Sequence, residues 1–147
     1  EECRKHNVTD IVVCGMGGEL IEKIVSSSPY AQKSGVRLVL QPMSFAPELR
    51  KCLCYAGFDI VNEKLCKAAG RVYTVICAEY DGIKREYSDA ELILGRKNIE
   101  NREELFPEYA KKVIKKLETQ IKGKQNGGID CEYERGLLEK ITAVIEE

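Results

Sequence analysis

Apolar residues come in short runs punctuated by glycine and proline over the first 80 or so positions, and at helical steps thereafter. Asp10-Ile11-Val12-Val13-Cys14 is a continuous apolar run stopped by glycines, the pattern of a strand buried on both faces of a parallel sheet. Leu20, Ile21, Ile24 and Val25 then recur at helical spacing, with Glu19, Glu22 and Lys23 between them, up to the breakers Ser26-Ser27-Ser28-Pro29. The cycle repeats with a strand over Val36–Leu40, closed by Gln41-Pro42. A helix follows over Pro47–Tyr55, with proline in its first turn and Gly57 as its C-terminal cap. Phe58–Glu63 and Val72–Ala78 predict two more strands, too close for a helix between them. With Gly70 at the turn they form an antiparallel hairpin at the sheet edge.

Strand, helix, strand, helix and a final hairpin make the closing half of an open α/β sheet, the C-terminal half of a Rossmann-like domain. The strands that normally precede such a half are expected to lie outside this chain. The sheet then exposes an edge that a second copy or another chain can pair with. Beyond Asp81-Gly82 the pattern turns helical. Ser88-Asp89-Ala90-Glu91 starts a short helix through Leu92, Ile93 and Leu94. Phe106, Ala110, Val113, Leu117 and Ile121 form one apolar stripe, and Tyr133, Leu137, Ile141 and Val144 another. Gly123–Gly128 reads as the turn between them, giving an antiparallel, coiled-coil-like hairpin. The chain thus divides into residues 1–84, the sheet part, and 85–147, the helical extension.

Composition narrows the class. The 147 residues are 44% hydrophobic and 32% charged, which suits a folded domain with a small appendage. No apolar run approaches the ~20 residues of a membrane helix, and Glu1–Asn7 has no signal-peptide character. Seven cysteines without a C-x-x-C pair, and the single histidine His6, predict no metal site and a reducing, cytoplasmic setting. Net charge is only −1, yet six lysines at 111, 112, 115, 116, 122 and 124 face the single Glu118.

Gly15-Met16-Gly17-Gly18 is the main candidate for chemistry. It lies at the C-terminal end of a strand and opens a helix, where open α/β sheets bind ligands and where backbone N–H groups are free. The same glycines also suit a tight turn with no ligand. They are not the G-x-G-x-x-G dinucleotide fingerprint, and no carboxylate ends the next strand to hold a ribose. Gln41, at the same sheet edge, either hydrogen-bonds a nucleobase or caps its strand. Asp10 is expected to face solvent at the far end of its strand, and His6 to be exposed. Lys111, Lys112, Lys115 and Lys116 form either an RNA-facing surface or a solvated helix face, with Tyr109 and Tyr133 beside them. No nucleophile–base pair or paired carboxylates stand at a spacing that would support hydrolysis.

These motifs, in this order, resemble one family. Asp10–Ile21, with its Cys-Gly-Met-Gly-Gly core, is similar to the strand-4 segment of bacterial tRNA adenine-22-N1 methyltransferases, class I S-adenosylmethionine enzymes. Leu38-Val39-Leu40-Gln41-Pro42 with Leu49-Arg50 looks like that family's Leu-Gln-Pro-Asn…Leu-Arg stretch. Ile60–Glu63 and Gly70–Tyr73 resemble the region joining its last strands, and the helical hairpin its coiled-coil extension. The resemblance implies methylation of N1 of a tRNA adenine. It places Gly15, Met16, Gly17 and Gly18 at the reaction site and Cys14, Gly15, Met16 and Gly17 against the cofactor. Gln41, Pro42 and the lysines 111, 112, 115 and 116 fall on the substrate side. Met43 stands where the family usually has Asn, and Cys14 where it has Ala. The family's first cofactor motif and its acidic partner are not in these residues, so the chain alone is expected to bind S-adenosylmethionine poorly and to be inactive. The competing expectation is a non-catalytic α/β interaction module whose glycines serve packing.

Overall fold

A computed structural model describes residues 6–146, so the readings made on Glu1–Lys5, Cys3 among them, lie outside the described residues. Four strands and six helices follow in the order β1 (Asp10–Met16), α1 (Gly18–Ser27), β2 (Arg37–Pro42), α2 (Ala46–Ala56), β3 (Phe58–Ala68), β4 (Arg71–Tyr80), α3 (Asp89–Leu94), α4 (Arg96–Asn101), α5 (Phe106–Asn126) and α6 (Glu132–Glu146). The sheet order is β1-β2-β4-β3, with β1 parallel to β2 and the β3–β4 hairpin antiparallel. The hairpin does close the sheet at one edge, with β4 inserted beside β2. Gly57 ends α2 at φ +89, as expected of a C-terminal cap. Ser88 and Glu91 form a reciprocal capping box that starts α3.

Register decides which side chains share a face. Ile11, Leu38, Ala78 and Ile60 form one row across the sheet, and Val12, Val39 and Cys77 form the next, on the opposite face. The first row packs with α1 and α2 into a core that includes Ile21, Leu40, Leu49, Leu53 and Ile76. Among the described residues nothing covers the second row at β1. Val12 is 64% exposed and Cys14 is exposed as well. The expectation that β1 is buried on both faces, with Cys14 inside, is therefore corrected: only Val13 of that strand is buried. Cys77 is half-buried rather than buried, for the same reason.

A second core joins the far half of the hairpin to the helices, through Leu65 and Val72 with Leu94, Phe106, Ala110, Leu117, Leu137 and Ile141. α5 and α6 run antiparallel. Lys124 near the end of α5 pairs with Glu134 near the start of α6, and Arg102, just before α5, donates to the carbonyls of Val144 and Ile145. The helices thus pack on the hairpin as well as on each other. Two expectations need correction here. The turn is shorter than Gly123–Gly128, because α5 continues through Asn126 and only Gly128, at φ +65, reverses the chain. One glycine inside a helix costs about 1 kcal/mol, too little to stop a helix supported by good formers on either side. Tyr133 lies outside the buried stripe, 64% exposed. No helix among the described residues is long and apolar enough to cross a membrane.

Candidate active site

Gly15 and Met16 extend β1 rather than forming its turn. Cys14 pairs with Gln41 and Met16 with Pro42, which leaves Gly15 as the extra residue of a bulge, at φ +75. A Cβ on Gly15 would meet nothing within 4 Å, so it is the backbone conformation that demands glycine there. Gly18 is glycine for the opposite reason. Its N–H donates to Ser44 O at 2.8 Å, and a Cβ would lie 2.5 Å from Phe45 O. The strand-end loops of β1 and β2 are therefore locked together, with Met43 N–H donating to Met16 O at 2.8 Å as a second tie.

Gln41 completes the brace. Its Oε1 accepts the Gly15 N–H at 2.9 Å, while its amide nitrogen points back at Pro42 and Met43. It neither merely caps a strand nor stands free beside the turn. The exposed faces of Cys14, Gly15 and Met16 remain open to solvent above this brace.

The segment after Pro42 holds the residue that sequence reasoning missed. Phe45 stands at φ 56, ψ 37, a left-handed conformation that bulky side chains rarely adopt. Gly18 makes it possible by letting the Ser44–Phe45 backbone come close, and Phe45 O accepts from Leu49 N–H as α2 begins. Ala46-Pro47 gave a helix start, but nothing in the local sequence predicted a left-handed phenylalanine before it.

A groove of about 490 Å³ opens beside this segment, lined by Pro42–Ala46, by Arg71–Thr74 of β4, and by Tyr109 and Lys112 of α5. A larger groove of about 760 Å³ continues it along α5, past Lys51, Lys112 and Lys116. Lys112 thus reaches the groove beside Pro42–Ala46 and Lys116 its continuation, whereas Lys111 and Lys115 are exposed without lining either groove. Lys124 is held by Glu134, and Tyr109 is half-buried with its hydroxyl donating to Ile93 O at 2.9 Å. Asp10, at the opposite end of β1, faces Arg37, and His6 is exposed.

Behind the site, α2 is pinned to the hairpin by a buried ionic cluster. Arg50, fully buried, donates to Glu63 Oε1 at 2.6 Å, to Thr74 Oγ1 at 3.2 Å and to the carbonyls of Leu92 and Ile93. Burial pulls hardest against the Arg50 charge, but Glu63 and Tyr109 together outweigh it and the guanidinium is held above its ordinary value. Glu63 also accepts from Lys97 N–H, and Gly95 is glycine because a Cβ would lie 2.5 Å from Glu63 Oε2. Burial pushes the thiols of Cys52, Cys54 and Cys77 up, so none of them is an activated nucleophile. Among the described residues no group of three or more His, Cys, Asp or Glu side chains could hold a metal ion.

Comparison with known proteins places this geometry. The family model described as tRNA (adenine(22)-N(1))-methyltransferase matches residues 3–147. The Bacillus subtilis (strain 168) protein of that name is 31% identical over 90 residues, a match covering 56% of this chain and 38% of that protein. A Streptococcus agalactiae protein of the NADB-Rossmann superfamily superposes with a TM-score of 0.75 at 28% identity, over 97% of this chain and 61% of its own. A Streptococcus pneumoniae protein crystallised with S-adenosyl-L-methionine gives 0.71 at 28% identity, over 95% and 60%. The chain therefore spans less than two thirds of the length of these relatives.

Proposed function

This chain belongs to the tRNA (adenine(22)-N(1))-methyltransferase family, and we propose that the protein containing it transfers a methyl group from S-adenosylmethionine to N1 of an adenine in tRNA. The observation that supports this most directly is the open Gly15 bulge at a strand end tied by Met16 and Gly18 to Met43 and Ser44, which line a groove together with Arg71 and Lys112. S-adenosylmethionine, when bound, supplies an electrophilic methyl carbon. The exposed backbone of Cys14–Gly17, bare at Gly15, suits close approach of the cofactor's methionine end. The strand ends, Met16 and Pro42, offer no carboxylate for a ribose, so these residues make one wall of the site.

Adenine N1 carries a lone pair and can attack the methyl carbon directly, so no strong general base is needed. The work is alignment, which can supply much of the rate enhancement. Gln41 acts through Gly15, holding the bulge in place, and Pro42 borders the incoming base. N1 lies on the pairing edge, so the adenine must be unpaired or flipped out. Lys111, Lys112, Lys115 and Lys116 grip tRNA phosphates, with affinity that falls as salt rises. The open edge of β1 pairs with further strands or with a second copy, and the protein works in the cytoplasm.

The alternative, a packing role for the glycines in an interaction module, accounts for Gly18 but leaves the uncovered bulge at Gly15 without a purpose. With the complete gene product, labelled methyl should pass from S-adenosylmethionine to unmodified tRNA and fail with adenine 22 replaced. Equal labelling of both tRNAs would discard the target, and labelling of neither would discard the activity.

A further inference from the structure

Phe45 breaks two local rules at once. It is the residue before the first turn of α2, where Asn, Asp or Ser would cap the helix, and its side chain makes no capping bond. It also holds a left-handed backbone that Asn tolerates and phenylalanine does not. Nor does the ring repay this by packing inward, since Phe45 is 50% exposed. A residue that violates local preference without a packing reason marks a site whose reason lies outside the chain. Its groove has the size of a small-ligand site, and its charge has one sign. Arg71 and Lys112 line it, no carboxylate does, and neither cation is ion-paired among the described residues.

An exposed aromatic ring beside unpaired cations is the arrangement that takes single-stranded nucleic acid, with a base on the ring and phosphates on the cations. We propose that this groove receives an unpaired nucleotide of the RNA substrate, with Phe45 stacking on its base and Arg71 and Lys112 holding the flanking phosphates. The proposal deepens the tRNA reading and rests on it for the identity of the RNA.

The test uses the complete gene product and a short single-stranded RNA carrying 2-aminopurine, whose fluorescence is quenched by stacking. The wild type should quench it. Phe45→Asn, which suits the backbone better and should fold at least as well by thermal melt, should bind about 5- to 100-fold more weakly with the quenching lost. Phe45→Tyr should retain both. Arg71→Gln and Lys112→Gln should each flatten the dependence of log affinity on log salt by about 0.7. Wild-type binding and quenching in Phe45→Asn, or their loss in Phe45→Tyr, would overturn the stacking. Quenching needs no methyl transfer, so the two readings fail separately. Phe45-dependent quenching without tRNA methylation would sink only the activity. Unchanged methylation in Phe45→Asn combined with Arg71→Gln and Lys112→Gln would sink only the groove.

Discussion

On one face of the sheet Leu38, Leu40, Ile60, Ile76 and Ala78 are fully buried beneath helices, while on the other Val12 is open to solvent and Val39 and Cys77 are half-buried. The same strands supply both rows, and their side chains are equally apolar. The covered face even buries a charge, since Glu63 lies in register with Ile76 and Leu40 and reaches Arg50 from α2. What differs is the layer above. α1 and α2 close one face, and among the described residues β1 has no such layer on the other. The contrast shows that apolar sequence marks a surface suited to burial, and that a second element must arrive before burial contributes stability.

The strongest way to probe the covered face is to break its ion pair. Glu63→Ala leaves a fully buried guanidinium without its partner, and urea denaturation should show a loss of about 3–5 kcal/mol. Replacing both members, as Arg50→Met with Glu63→Leu, should cost much less. An equal loss in the double variant would show that packing, not charge, dominates there. The next comparison is between the two rows themselves. Leu38→Ala should cost about 2–5 kcal/mol, and Val12→Ala within about 0.5 kcal/mol of nothing, by the same measurement. A large loss for Val12→Ala would mean that its face is covered in solution.

Two glycines of one motif sharpen the contrast on a smaller scale. Gly18→Ala drives a Cβ into the Phe45 carbonyl and should cost about 1–3 kcal/mol. Gly15→Ala meets open space and should cost about 1–2 kcal/mol, from its left-handed backbone conformation alone. The smallest effect concerns the loop after β4. Hydrogen bonds from Arg85 hold the Asp81 carboxyl down at about 2, from an ordinary 3.8. Because the folded value is the lower one, this pair's contribution is complete above the ordinary value and is lost as pH falls toward 2. Asp81→Asn should therefore flatten the acid limb of a stability–pH profile and lower neutral stability by the same small amount, small because the group is exposed.

Much of the architecture is legible from local rules. Apolar runs, Gly57, Gly70 and the Ser88–Glu91 cap gave the strands, the hairpin and the helix starts, because a backbone's dihedral preferences and its capping partners lie within a few residues of each other. That Gly15–Gly18 and Gln41-Pro42 end successive strands at one edge was legible for the same reason. What those residues do there was not. Gly18 serves the Ser44–Phe45 backbone and Gln41 serves Gly15, contacts across 26 residues or more. Lys112 lines the groove while Lys111 does not, a difference of about 100° around one helix.

The sequence by itself thus determined most of the elements, their order and the edge where the glycine turn meets Gln41-Pro42, since each rests on interactions within a turn or a strand. Only the tertiary structure decided which apolar face is covered, where the Arg50–Glu63 charge is hidden and that Phe45 is held in the open beside two cations with no ion pair among the described residues. Those outcomes depend on which distant segments meet, and spacing along the chain carries no record of that. The glycine turn is where the two kinds of information join: local rules located it, and long-range packing gave each of its glycines a different task.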